Sequence, residues 1–107
     1  MVAVIFRAQT NELDDRYFEM AKRMRELAIS RYGCLEFIAV TEGRQEIAIS
    51  YWNDLEAIER WKADEEHRKA QELGRNYWYR SYTVQVVEVL REYGMGFGGG
   101  ESAEFER

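Results

Sequence analysis

The spacing of apolar residues along the chain predicts four strands and two helical regions. VAVIFRAQ, residues 2–9, is rich in Val, Ile and Phe, which favour a pleated, half-buried surface. It predicts a first strand, apolar on both faces until Arg7 and Gln9. In NELDDRYFEMAKRMRELAISRYG the residues Leu13, Tyr17, Met20, Met24 and Leu27 recur at spacings of four and three, the repeat of one helix face. Acidic residues crowd the start of this segment and basic ones its later turns, as the helix macrodipole favours, and Gly33 supplies a stop.

CLEFIAVTEGRQEIAISYW then carries two short strand patterns, 34–41 and 45–52, joined through Gly43 as in a tight hairpin. Asn53, with Glu56 three residues on, has the form of a capping box opening a second helix whose buried stripe is Leu55, Ile58 and Trp61. One straight helix would rotate His67 well away from Trp61, at about 100° per residue. A break at residues 62–64, with Asp64 capping a second short helix that ends at Gly74, brings the two rings together. YWYRSYTVQVVEVLREY closes the pattern as a long strand, with Tyr82, Val84 and Val86 on one face and Thr83, Gln85, Val87 and Val89 on the other.

The resulting order, βαββαβ, suits an α+β, ferredoxin-like fold: a four-stranded antiparallel sheet with its helices on one face. Residues 1–92 form the expected domain. Residues 93–107 form an expected flexible tail, with glycine at five of the seven positions 94–100. Helices cover one sheet face only, yet Val2, Ala3, Val4, Ile5, Val87 and Val89 spread apolar side chains over both. That predicts a homodimer with two sheets packed face to face.

Charge and composition narrow the function. The chain has 107 residues and a net charge of −5, with acidic and basic residues interspersed, so no basic stripe is available for nucleic acid. No apolar run reaches the roughly 20 residues that span a bilayer, and the start lacks a basic region with a cleavage site. The expectation is a cytoplasmic protein with neither a nucleic-acid nor a membrane partner. The single Cys34 has no disulfide partner and reads as a small buried strand residue. One histidine, with no HxxxH, HExxH or paired cysteines, leaves no ligand set for a metal.

ISYW, LEAIERW, a histidine six residues after that tryptophan, LG and YWYRSYTVQVVEV together resemble the antibiotic biosynthesis monooxygenase domain family over residues 50–89, and the element order extends the likeness over 2–90. The resemblance implies a dimer whose sheets form a β-barrel, with a pocket in each subunit between sheet and helices. It also implies a small oxygenase needing no cofactor, acting on an electron-rich aromatic such as an anthrone, or on a quinol. Members of a haem-degrading branch use an Asn on the first strand, a helix Trp and a later helix His. Trp61 matches that Trp, but Gln71 stands in place of the His, and the first strand offers Arg7 and Gln9, so haem is not the favoured cofactor.

Anthrone-type oxygenation needs a base, a group that steadies the developing anion, and dry aromatic walls. His67 is the candidate base, since its imidazole titrates near neutrality and a helix N-terminus disfavours its charged form. Arg7, beside Gln9, is the candidate anion holder, and Trp61 is the substrate-facing ring that the resemblance implies. Trp52, Tyr51 and Tyr82 are candidate walls. Each has a plainer competitor: packing for the aromatics, capping for His67, an ion pair for Arg7. The alternative function is a non-catalytic dimeric binder of a small aromatic molecule or haem.

Overall fold

The computed structural model describes residues 1–96. The strands β1 (Val2–Thr10), β2 (Glu36–Glu42), β3 (Gln45–Trp52) and β4 (Tyr79–Glu88) form one antiparallel sheet in the order β2-β3-β1-β4. Helices α1 (Asp15–Arg31), α2 (Leu55–Ala63) and α3 (Glu65–Leu73) complete the expected ferredoxin-like α+β fold. Among the described residues no helix is long and apolar enough to cross a membrane. The expected glycine-rich tail lies from residue 97 onward outside the described residues.

Strand alternation divides the sheet into two chemically different faces. Val4, Ser50, Val86 and Phe37 share one register row on the helix side, and Phe6, Ala48, Val84 and Ala39 the next. The core sits here: Leu27, Ala28 and Met24 of α1, Ile58 and Trp61 of α2, and Trp52 of β3 pack with Val4 and Cys34. Trp52 is fully buried and its indole Nε1 donates to Ser50 Oγ at 2.9 Å. Burial of a large apolar side chain of this kind contributes about 1.5–3 kcal/mol.

Helix α1 opens on Asp14, whose side chain accepts from the Tyr17 amide, so Leu13 falls outside the helix. Helix α2 is capped by Asp54, not by Asn53, and Leu55 points outward, 55% exposed. Its buried residues are Ala57, Ile58 and Trp61. Either of two adjacent polar residues can cap, and the one in register with the buried stripe prevails. Cys34 is buried but precedes β2, with its thiol donating to the Glu36 carbonyl.

The break between α2 and α3 forms at Asp64, as the spacing predicted. Its backbone is extended (φ −60°, ψ 137°), and its Oδ1 accepts from the amides of Glu66 and His67 at 2.8 and 3.4 Å. Its Oδ2 accepts from the Tyr32 hydroxyl at 2.6 Å, with Arg31 at 3.8 Å, tying the break to the end of α1. Arg23 adds a bidentate pair to Glu66, at 2.8 and 3.0 Å.

Gly74 does not end α3 as a left-handed stop. It is right-handed (φ −60°, ψ −50°) and leads into a π-helical turn, Gly74–Trp78, so the last strand starts at Tyr79. Glycine stands there for clearance: a Cβ at this position would lie 2.5 and 2.8 Å from ring atoms of Tyr79. Gly74→Ala is therefore expected to lower stability by about 1–3 kcal/mol, read as a lower urea midpoint. An unchanged midpoint would show that the Tyr79 ring moves aside freely.

Candidate functional site

A cavity of about 360 Å³ lies between the helix side of the sheet and α1, α2 and α3. Small residues make room for it: Ala39 and Ala48 on the sheet, Ala21 and Ala70 on the helices. Because α1 packs on β2 and α2 on β3, β4 at the other edge is left uncovered. Its inward residues Tyr82, Val84 and Val86 line the cavity and remain 44–47% exposed, which places the mouth along β4.

At one end of the cavity Trp61 and His67 meet. Their ring centroids are 4.1 Å apart and tilted by 52°, and Trp61 is backed by Trp52 at 5.2 Å and flanked by Phe37 at 6.0 Å. Trp61 Nε1 and His67 Nδ1 are both buried without a hydrogen-bond partner. Buried polar groups are normally hydrogen-bonded, so two unpaired nitrogens on adjoining rings single out this corner of the cavity. Burial pushes the His67 imidazole down to about 4, against the opposing pull of Asp64, so it is neutral at pH 7. Lys62 and Arg25 line the same cavity.

At the other end Glu46 is buried at 7% exposure. Its Oε2 accepts from the Tyr17 hydroxyl and its Oε1 from Thr41 Oγ1 at 3.4 Å. Burial, reinforced by Tyr79 and Glu46, raises the Tyr17 phenol far above its ordinary range and keeps it a donor. Burial likewise pushes Tyr79 up to about 12. Tyr79 reaches the cavity through an irregularity: the β1–β4 register shifts between Gln9 and Thr10, so Thr10 faces Tyr79 where strict alternation would have presented Arg80.

The structure thus brings together Trp61, His67 and Tyr82, and sets Trp52 behind Trp61 as a support, not as a wall. It does not bring Arg7, Gln9 or Tyr51 to the cavity. Arg7 pairs in register with Ile47 and Thr83, and Tyr51 with Ala3 and Glu36, all on the opposite sheet face. The expected placement of these three is corrected by strand parity, which a run apolar on both faces does not reveal. Lys62 and Arg25 are the cations that line the cavity. Tyr17, Glu46 and Tyr79 were not among the expected site residues. For Tyr17 the stripe was legible as one helix face; for Glu46 an inward position within EIAIS was the available signal.

The His67 shift has a signed consequence for stability. Between pH 6.5 and about 4 the unfolded chain binds a proton at His67 that the folded chain refuses. Stability from this group is therefore complete above pH 6.5 and lost as pH falls through the window, by at most about 1.4 kcal/mol per pH unit. Urea midpoints from pH 7 to 5 should fall less steeply in His67→Gln than in the wild type; equal slopes would contradict a desolvated imidazole.

Comparison with known proteins agrees with this architecture. Residues 2–92 match the family model Monooxygenase af470-like. The chain is 42% identical over 92 residues to the uncharacterized protein YqjZ of Bacillus subtilis, covering 84% of this chain and 80% of that one. It is 31% identical over 94 residues to the jasmonate monooxygenase ABM of Pyricularia oryzae, covering 83% of this chain but 43% of that enzyme. Among solved structures, Rv0793 from Mycobacterium tuberculosis superposes with a TM-score of 0.74 at 16% identity, over 85% of this chain and 96% of that one. SnoaB, a cofactor-independent oxygenase from Streptomyces nogalater, superposes with a TM-score of 0.72 at 13% identity, over 85% and 94%. The match to the family model runs from the first strand past the last, and the chain belongs to the Monooxygenase af470-like family.

Proposed function

We propose that the chain is a homodimeric, cofactor-independent monooxygenase acting on an electron-rich aromatic or quinol held in the cavity between sheet and helices. The observation that carries the reading is the neutral, half-buried His67 with a buried, unpaired Nδ1, its ring tilted against Trp61 in a largely apolar cavity. The likeness to SnoaB, a cofactor-independent oxygenase, and to the Pyricularia jasmonate monooxygenase supports the reaction class.

The chemistry follows from the residues. With its proton on Nε2, His67 accepts the acidic proton of an anthrone-type CH₂ at Nδ1. Burial makes the resulting imidazolium costly except beside an anion, and deprotonation of the substrate creates that anion. Trp61 Nε1–H is a donor for the developing oxyanion, while Arg25 and Lys62 supply positive potential. The electron-rich anion reduces dioxygen, and the net reaction converts CH₂ and O₂ into C=O and H₂O. The apolar walls exclude water that would quench the anion.

The outer sheet face supports the dimer. Ile5, Ile38, Val40, Ile47, Ile49 and Val87 share that face, with Ile38 and Val40 exposed at 45% and 60%. A contiguous apolar surface of this kind is normally covered. A cytoplasmic setting suits Cys34, a free thiol that burial holds above its ordinary range. The alternative, a non-catalytic binder of a small aromatic molecule or haem, draws on the position of Arg7 and Gln9, outside the cavity.

Oxygen uptake by chelator-treated protein with anthrones, hydroquinones and jasmonate tests the reaction. Saturable uptake is expected, falling about 100-fold in His67→Ala and roughly tenfold in Trp61→Phe, which keeps the ring but loses the donor. Ligand or haem binding without uptake would select the binder. Light scattering should give twice the 12.7 kDa chain mass, and Val40→Lys should shift it toward the monomer; a monomeric wild type at micromolar concentration would refute the dimer.

A further inference from the structure

Glu46 has no place in the chemistry above, yet it is a buried acidic side chain on the cavity wall. It is 7% exposed, and among the described residues no ion pair involves it. Two hydroxyls, from Tyr17 and Thr41, are its hydrogen-bond donors. A buried carboxylate without a cation is costly, and a glutamine of the same shape would accept from the Tyr17 hydroxyl at Oε1 and donate from Nε2 to the Thr41 hydroxyl at lower cost. Local choices that oppose stability concentrate at functional sites. The two carboxyl oxygens have more acceptor positions than the two that Tyr17 and Thr41 use.

The position of Glu46 defines what it can hold. Trp61 packs on Phe37, which stands opposite Ser50 in the sheet. Glu46 lies four residues earlier on β3, roughly 13 Å away at the rise of an extended strand. The cavity therefore has two polar ends separated by apolar wall. Arg25 and Lys62 line it as well, and their charges disfavour a cationic occupant while favouring one with an acidic hydroxyl.

We infer that Glu46 anchors the substrate by accepting a hydrogen bond from a ring hydroxyl at the end remote from Trp61 and His67, so that the cavity selects extended, ring-hydroxylated aromatics over unsubstituted hydrocarbons and amines. Tyr17 is a positioning residue: its hydroxyl fixes Oε2 and leaves the other acceptor positions for the ligand. This inference rests on the cavity being the substrate site, as in the reading above, and it deepens that reading by naming the substrate class.

Binding, measured by quenching of tryptophan fluorescence, separates the anchor from the reaction. Three probes suffice: β-naphthol, its methyl ether and naphthylmethylamine. The wild type should prefer naphthol to the ether by roughly tenfold to a hundredfold, the range for a hydrogen bond to a charged group. In Glu46→Gln the preference should fall below about threefold, with affinity for the ether unchanged and a melting temperature no lower than wild type. Tyr17→Phe should weaken naphthol binding less than Glu46→Gln does. The inference is overturned by a wild type that does not bind naphthol at millimolar concentration or does not prefer it to the ether, or by a preference that survives in Glu46→Gln. A marked loss of folding in that variant would instead make Glu46 structural, and tighter binding of the amine would make it an ammonium site. Hydroxyl selectivity that depends on Glu46 without any oxygen uptake would keep the anchor and discard the oxygenase.

Discussion

The site depends on one carboxylate that is not part of it. Asp64 interrupts what would otherwise be a continuous helix, caps the next one through Oδ1, and receives the Tyr32 hydroxyl from the end of α1 through Oδ2. The Tyr32 hydrogen bond is the chief reason that its carboxyl is held below the usual range. Without the interruption, six residues of helix would carry His67 to a different face from Trp61. With it, the two rings meet at a 52° tilt and both contribute a buried, unpaired nitrogen. A helix cap of this kind contributes about 1 kcal/mol, but its larger effect is directional, because it decides which side chain meets which.

The sheet provides the second constraint. Its inner face combines large aromatics near α2 with alanines beneath α1 and α3, so that the helices close over part of the surface and leave space over the rest. A uniformly large-residue face would have filled that space and produced a more stable domain with nowhere to bind anything. The cavity, the glutamate inside it and the exposed edge of β4 are all departures from the best-packed solution. They lie next to one another, as expected where function and stability compete.

Membership of the Monooxygenase af470-like family sets the scaffold, while what the cavity holds is decided by individual side chains on that scaffold. In this chain those side chains divide into a nitrogen pair at one end and an oxygen cluster at the other. An apolar ligand can occupy the middle without using either end. A ligand with polar groups at both ends uses the whole cavity, and orientation then follows from the hydrogen bonds rather than from shape.

Much of this was legible in the sequence itself. The strand and helix periods, the hairpin at Gly43, the βαββαβ order, and Asp64 as the cap that lets His67 approach Trp61 all follow from local preferences, which act over a few residues. The resemblance to the monooxygenase family was carried by short segments around the same two rings. What tertiary structure decided was facing and clearance. Arg7, Gln9 and Tyr51 looked equally able to point inward, because a strand apolar on both faces does not declare its parity, and the sheet turned them outward. Tyr79 entered the cavity through a one-residue register shift against β1, and Gly74 proved to be a gap left for the Tyr79 ring and not a helix stop. Glu46 acquired its meaning only when Tyr17, remote in sequence, placed its hydroxyl against it. Local energetics choose the elements, whereas side-chain meetings between distant segments depend on packing that no single segment encodes.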